Sequence, residues 1–170
     1  MLLGILLLVA GLGVAALGGA GAALFGPNGR LVSPAARVAG NGVAIVVPDL
    51  TVQAQNLEIP QGLGRLQIQA TSPQGRSLFV GTAAHDQVSA YLVGAPYDAV
   101  SSVQTGGTAT TRPVPGTQQP SPPGSQNFWA SQGSGVPAVA DVVTGSGNTL
   151  VVMNADASPG VTADVAVTFA

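Results

Sequence analysis

"TLVVMNADASPGVTADVAVTF", residues 149–169, decides how this chain is read. Two apolar runs flank a polar turn that holds Asn154, Asp156, Ser158, Pro159 and Gly160. In the second run Val161, Ala163, Val165 and Val167 fall on one side. Thr162, Asp164 and Thr168 fall on the other, interrupted only by Ala166. Alternation with period two marks a strand buried on one face. The stretch predicts a β-hairpin that sends Val and Ala into a two-sheet core and keeps its tip polar because the tip meets water.

Similar runs recur upstream. "VAIVV" (43–47) stops at Pro48, and "LTVQAQ" (50–55) comes next. In "RLQIQAT" (65–71) Leu66, Ile68 and Ala70 oppose Gln67, Gln69 and Thr71. "SPQG" (72–75) has Pro at the second and Gly at the fourth position, the pattern of a type I turn. "SLFVGTA" (77–83), "YDAVSSVQ" (97–104), "FWAS" (128–131), "AVADVVTG" (138–145) and "NTLVVMNA" (148–155) complete the set. One helix interrupts it, in "HDQVSAYLVGAP" (85–96). Asp86 is the expected N-cap, Val88, Tyr91 and Leu92 share a face, Gly94 is placed at C′, and Pro96 prevents continuation. Short strands at this spacing predict a mainly β fold, a jelly-roll-like β-sandwich with one short helix.

Composition narrows the class. Charged residues are 7% of the 170, against roughly 25% in ordinary soluble domains. There is no Lys, and five Arg and seven acids leave a net charge of −2. Nucleic acid is excluded as a partner, since neutralising phosphates takes a clustered basic surface. With no Cys there is no disulfide and no thiolate metal site.

Leu2–Phe25 carries no charge and no Pro. As a helix it would reach about 36 Å, enough to cross a hydrocarbon core. Residues 1–26 are therefore expected to be a transmembrane helix or uncleaved signal anchor. The connector is 27–42, and the β-sandwich domain is 43–170, with a flexible Pro/Thr-rich loop at 105–126. Gly4, Gly11 and Gly18 share a face that Ala15 and Ala22 extend, a small-xxx-small pattern suited to self-association. A cleaved signal peptide is the alternative, since "AGA" (20–22) fits a cleavage site although a basic n-region is missing. Arg30 and Arg37 lie after the apolar segment and none precedes it, which by the positive-inside rule favours a cytoplasmic domain. The exported character of the strand-rich remainder outweighs this, and the domain is expected outside the cell membrane.

"SLFVGTAAHDQVSAYLVG", "FWAS" and "LVVMNADASPGVTADVAV" resemble landmarks of uncharacterised actinobacterial membrane-anchored proteins with a single extracytoplasmic β-rich domain, and "VVMNAD" is the most specific part. The resemblance covers most of the chain except the Pro-rich loop. It implies export and membrane attachment and carries no activity with it. This chain departs by lacking basic residues at its start and a second membrane span. The strand pattern is also similar, more generally, to jelly-roll modules that bind sugars or accompany secreted proteases.

Candidate chemistry is sparse. His85, the single histidine, lies beside Asp86, yet "GxSxG" is absent and adjacent helical residues do not face each other. The acids Asp49, Glu58, Asp86, Asp98, Asp141, Asp156 and Asp164 form no pair framed by aromatic residues, as a glycosidase cleft would be. Asn154, Asp156 and Ser158 offer oxygens to Ca²⁺, but a site needs more ligands, and an Asx turn accounts for them. "GLGRL" (62–66) and "GSGN" (145–148) lack the Lys and helix of a phosphate loop. No catalytic, cofactor or metal residue is therefore assigned. If side chains alternate through Phe128 and Trp129, one ring points outward as a partner contact. Thr105, Thr108, Thr110, Thr111, Thr117 and Ser121, interleaved with Pro, have the composition of an O-glycosylated stretch. The expected function is that of a noncatalytic, membrane-tethered cell-envelope domain with a structural or protein-interaction role. A carbohydrate or cell-wall ligand-binding module is the alternative, and a hydrolase comes third.

Overall fold

The computed structural model describes residues 31–32, 35–48, 66–103, 109–141 and 147–169. The transmembrane reading of Leu2–Phe25, its small-residue face and the strand expected at 50–55 lie outside the described residues. Among the described residues no helix is long and apolar enough to cross a membrane.

The described chain is mainly β. In order it forms β1 (Leu31–Val32), β2 (Ala36–Gly40), β3 (Ala44–Val47), β4 (Leu66–Thr71), β5 (Leu78–Ala84), helix α1 (His85–Tyr91), β6 (Tyr97–Val103) and β7 (Ala109–Val114). A 3₁₀ turn (Pro123–Ser125), β8 (Ser131–Gly135), β9 (Ala138–Asp141), β10 (Asn148–Asn154) and β11 (Val161–Phe169) complete it. The first sheet has the order β1-β11-β4-β9, with β2 also on β11; the second has the order β7-β6-β3-β10-β5-β8. The described pairings are antiparallel except β3 with β6, which run parallel.

One apolar layer joins the sheets. Ile68, Ala70, Val161, Ala163, Val165 and Val167 from the first meet Ile45, Val47, Leu78, Val80, Leu150 and Val152 from the second. This is the layer that alternation in the sequence demands, because only apolar faces gain by leaving water. Its members are mostly Val, Ala and Leu, in keeping with 4% aromatic content.

The predicted hairpin is corrected. β10 and β11 do not pair with each other; β10 lies between β3 and β5 in the second sheet, while β11 lies between β4 and the β1/β2 edge in the first. The turn between them is a corner that crosses from sheet to sheet. Buried Asn154 donates from its side-chain amide to the carbonyl of Ser158 at 2.9 Å. The Ala155 N–H donates to the Ser77 carbonyl and the Gly160 N–H to the Gly42 carbonyl. Ala157 is fully buried with φ 59°, and Gly160 has φ 78°. Left-handed backbone at two places turns the chain out of one plane and into the other, with glycine taking one of them at no steric cost.

Other boundaries shift as well. The connector expected at 27–42 contains β1 and β2, both paired with β11, so the sheets begin before residue 43. The stretch expected as a single loop at 105–126 contains β7, an edge strand on β6. A Pro at 113 is tolerated because an edge strand leaves one side unpaired. Phe128 and Trp129 are not in a strand, whereas β8 forms from "SQGSG", which has no apolar residue to signal it. β9 runs close beside β8, and β2 beside β7, so the two sheets approach at both margins. At Gly133 a Cβ would lie 1.8 Å from the Val139 carbonyl oxygen, so only glycine permits that approach.

Candidate functional site

The outer face of the second sheet carries a second apolar cluster. Val43, Ala44, Val46, Phe79, Ala83, Val151 and Met153 project away from the shared core. Val88 of α1 and Leu92 at its C-cap cover them, with Trp129. Burial on both faces is why "AIVV" and "LVVM" are continuous apolar runs. α1 exists to present that face. It starts at His85 with Ala84 as N-cap and no side-chain cap bond, so Asp86 is a first-turn acid and not the expected cap. Asp86 sits where the helix dipole favours negative charge. Leu92 ends the helix, and left-handed Gly94, φ 74°, stands two residues later instead of at C′.

Four rings climb outward from the sheet. Phe79 lies 5.0 Å from Trp129, Trp129 4.4 Å from Phe128, and Phe128 5.5 Å from Tyr91, measured between ring centroids and all tilted. The two ring residues singled out from the sequence are thus brought together and do not diverge to opposite faces. Trp129 is buried and Phe128 half-buried. The Pro-rich segment wraps this ladder. The Trp129 indole N–H donates to the Pro123 carbonyl at 2.9 Å, and the Tyr91 hydroxyl donates to the Ser121 carbonyl. The N–H groups of Thr117 and Gln118 both reach the Gly94 carbonyl at 2.9 Å. Burial pushes the Tyr91 phenol up to about 12, because its charged form would lose water. Tyr91 carried no signal beyond its helical spacing.

The titratable candidates are dispersed. His85 Nδ1 is 3.3 Å from the Thr149 hydroxyl and Nε2 is 3.4 Å from the Ser89 hydroxyl, both long for hydrogen bonds. A serine nucleophile needs a base that a third group orients. Here the far nitrogen meets a hydroxyl, and Asp86 projects about 100° further round the helix. Asp98 is buried and accepts the Gly42 N–H at 2.8 Å, holding the corner between β2 and β3. Asp156 accepts the Ser158 hydroxyl at 2.6 Å and its N–H at 3.0 Å. Those two bonds hold its carboxyl below the usual range. This is the Asx turn expected at that position.

The outer face of the first sheet is open and polar. Arg37 grips Asp164 through two bonds, of 2.8 and 2.9 Å. The guanidinium holds the Asp164 carboxyl below its usual range, and the carboxylate raises Arg37 in turn. Gln67 donates to Asp141 at 2.9 Å, and Gln69, Thr71, Thr162 and Thr168 share the face. No group of three His, Cys, Asp or Glu stands where it could hold a metal among the described residues. No protein-family model, no curated protein and no solved structure matches the chain.

Proposed function

We propose that the chain is a noncatalytic, membrane-tethered module of the cell envelope that acts through structure or protein contact. One observation carries the reading. β1 pairs Leu31 with Phe169, while the turns at 72–77, 136–137 and 155–160 lie at the opposite end of the sheets. An apolar anchor formed by Leu2–Phe25 would enter at the first end. The three turns would then face away from the bilayer, free to meet a partner. The side chains that could do chemistry support this reading by their surroundings: Asp98, Asp156 and Asp164 each brace backbone or a neighbouring strand. The likeness to actinobacterial membrane-anchored proteins and the jelly-roll-like form belong to the same proposal.

The test is protease accessibility on intact cells, followed by crosslinking and capture. The domain is expected to be cleaved from outside and to retain an envelope protein. A domain shielded until lysis would overturn the export reading. Ester hydrolysis that disappears in His85→Ala would overturn the noncatalytic one. A second reading, binding of cell-wall carbohydrate, draws on the row of Gln67, Gln69, Thr71, Thr162 and Asp164 on the outer face of the first sheet, which offers hydrogen-bonding groups to a polymer. Retention on purified wall polysaccharide, lost in Gln69→Ala, would favour it.

A further inference from the structure

We infer that Ser121 and Thr117 are sites of O-glycosylation, an inference that rests on the export reading above. Composition alone nominates every Ser and Thr of the Pro-rich stretch; Thr105 and Thr108 lie outside the described residues, and the structure separates the rest. Ser125 spends its hydroxyl on the Pro122 carbonyl at 2.7 Å. Thr111 is half-buried, and Thr110 lies within strand β7, its carbonyl held by the Ser101 hydroxyl. Ser121 and Thr117 combine what each of the others lacks in part. Both are exposed, both lie outside helix and strand, and among the described residues neither hydroxyl is hydrogen-bonded.

Their backbones are nevertheless held. The Ser121 carbonyl accepts the Tyr91 hydroxyl, and the Thr117 N–H donates to Gly94. Beside Thr117 the chain runs so close to α1's exit that a Cβ on Gly116 would lie 2.3 Å from the Ala95 carbonyl carbon. Pro120 and Pro122 flank Ser121 and favour an extended backbone. A fixed, extended, Pro-flanked segment presents the two hydroxyls to a transferase without an ordering cost at each encounter. The donor is a sugar whose anomeric carbon carries a phosphate. The Ser or Thr Oγ bonds to that carbon, the carbon–oxygen bond to phosphate breaks, and the phosphate leaves with the electron pair. The hydroxyl proton passes to a base on the transferase.

The full chain is purified from membranes of its own host, and its intact mass and peptide map are recorded. Hexose increments are expected on the peptide holding Thr117 and Ser121, lost in the double variant Thr117→Ala, Ser121→Ala and retained in Ser125→Ala. An unmodified mass, or sugars confined to other residues, overturns the assignment. Protease accessibility of the same cells separates the two failures. A cleaved but unmodified domain refutes glycosylation alone; a shielded and unmodified domain refutes export as well.

Discussion

The two sheets share one core and differ on their outer faces. That of the first sheet is solvated and mostly Gln, Thr, Asp and Arg, with exposed Ala39 and Val139 among them. That of the second is sealed by α1, Trp129 and the Pro-rich segment. β11 and β10 show what this does to a strand. β11 alternates, with Val161, Ala163, Val165 and Val167 buried and the residues between them half-exposed. β10 is buried at every position from Thr149 to Asn154. Antiparallel sheets with one wet face write alternation into their sequences, and strands covered on both sides write continuous apolar runs. The quoted stretch holds one of each.

The largest expected effect separates the two outer faces. Phe79→Ala removes the base of the ring ladder and should lower stability by about 3–5 kcal/mol. Gln69→Ala, on the open face, should stay within about 0.5 kcal/mol. Urea unfolding followed by circular dichroism measures both. Equal effects would mean that the second sheet is not sealed. Next comes Thr82, which is buried at 1% exposure with a hydroxyl that has no partner. Its backbone pairs with Leu150, and like Leu78 and Val80 it faces the shared core. Thr82→Val keeps the volume and removes the unpaired group, and should raise stability by about 1–2 kcal/mol. A loss instead would place an unseen partner on that hydroxyl.

Legibility followed the same division. Alternation in 66–71 and 161–168 gave two strands with a wet face, and Ile68, Ala70, Val161, Ala163, Val165 and Val167 are buried as expected, because the solvent boundary is written residue by residue. "SPQG" gave its turn, with the Gly75 N–H on the Ser72 carbonyl at 3.1 Å. The sheet to which a strand belongs was not legible. "NADASPG" looks like a hairpin tip, and only the bonds from Asn154, Ala155 and Gly160 to distant or folded-back backbone make it a corner. β8 was invisible for a related reason: "SQGSG" pairs through its backbone with β5, and its Gly133 serves the close passage of β9. The role of Phe128 and Trp129 was half legible. Their contact with Tyr91 joins segments almost forty residues apart in sequence, which no local spacing encodes.

A smaller effect tests the cover over the second sheet. Tyr91 has its folded value raised from 10.0 to about 12 by burial. A raised value means that the folded state holds the proton more tightly, so the contribution is complete below pH 10 and fades as pH rises toward 12. The wild-type chain should therefore lose part of its stability between those values, and Tyr91→Phe should lose less over the same interval. At neutral pH Tyr91→Phe forfeits the bond to Ser121, an effect of about 1 kcal/mol. Parallel alkaline profiles for the two chains would show that the ring is not held as described.

The smallest effect belongs to the open face. Arg37 and Asp164 make a two-pronged ion pair, yet the arginine side chain is 63% exposed. Water and salt screen such a pair, so its geometry overstates its worth. Because the folded Asp164 carboxyl titrates below its ordinary 3.8, its contribution is present above that value and disappears as pH falls through the depressed one. Asp164→Asn should leave the melting temperature at neutral pH almost unmoved and slightly flatten the acid side of the stability profile. Molar salt should erase even that difference. A large loss in Asp164→Asn at neutral pH, surviving salt, would mean that the first sheet's outer face is covered in solution, and the contrast between the two faces would then fail.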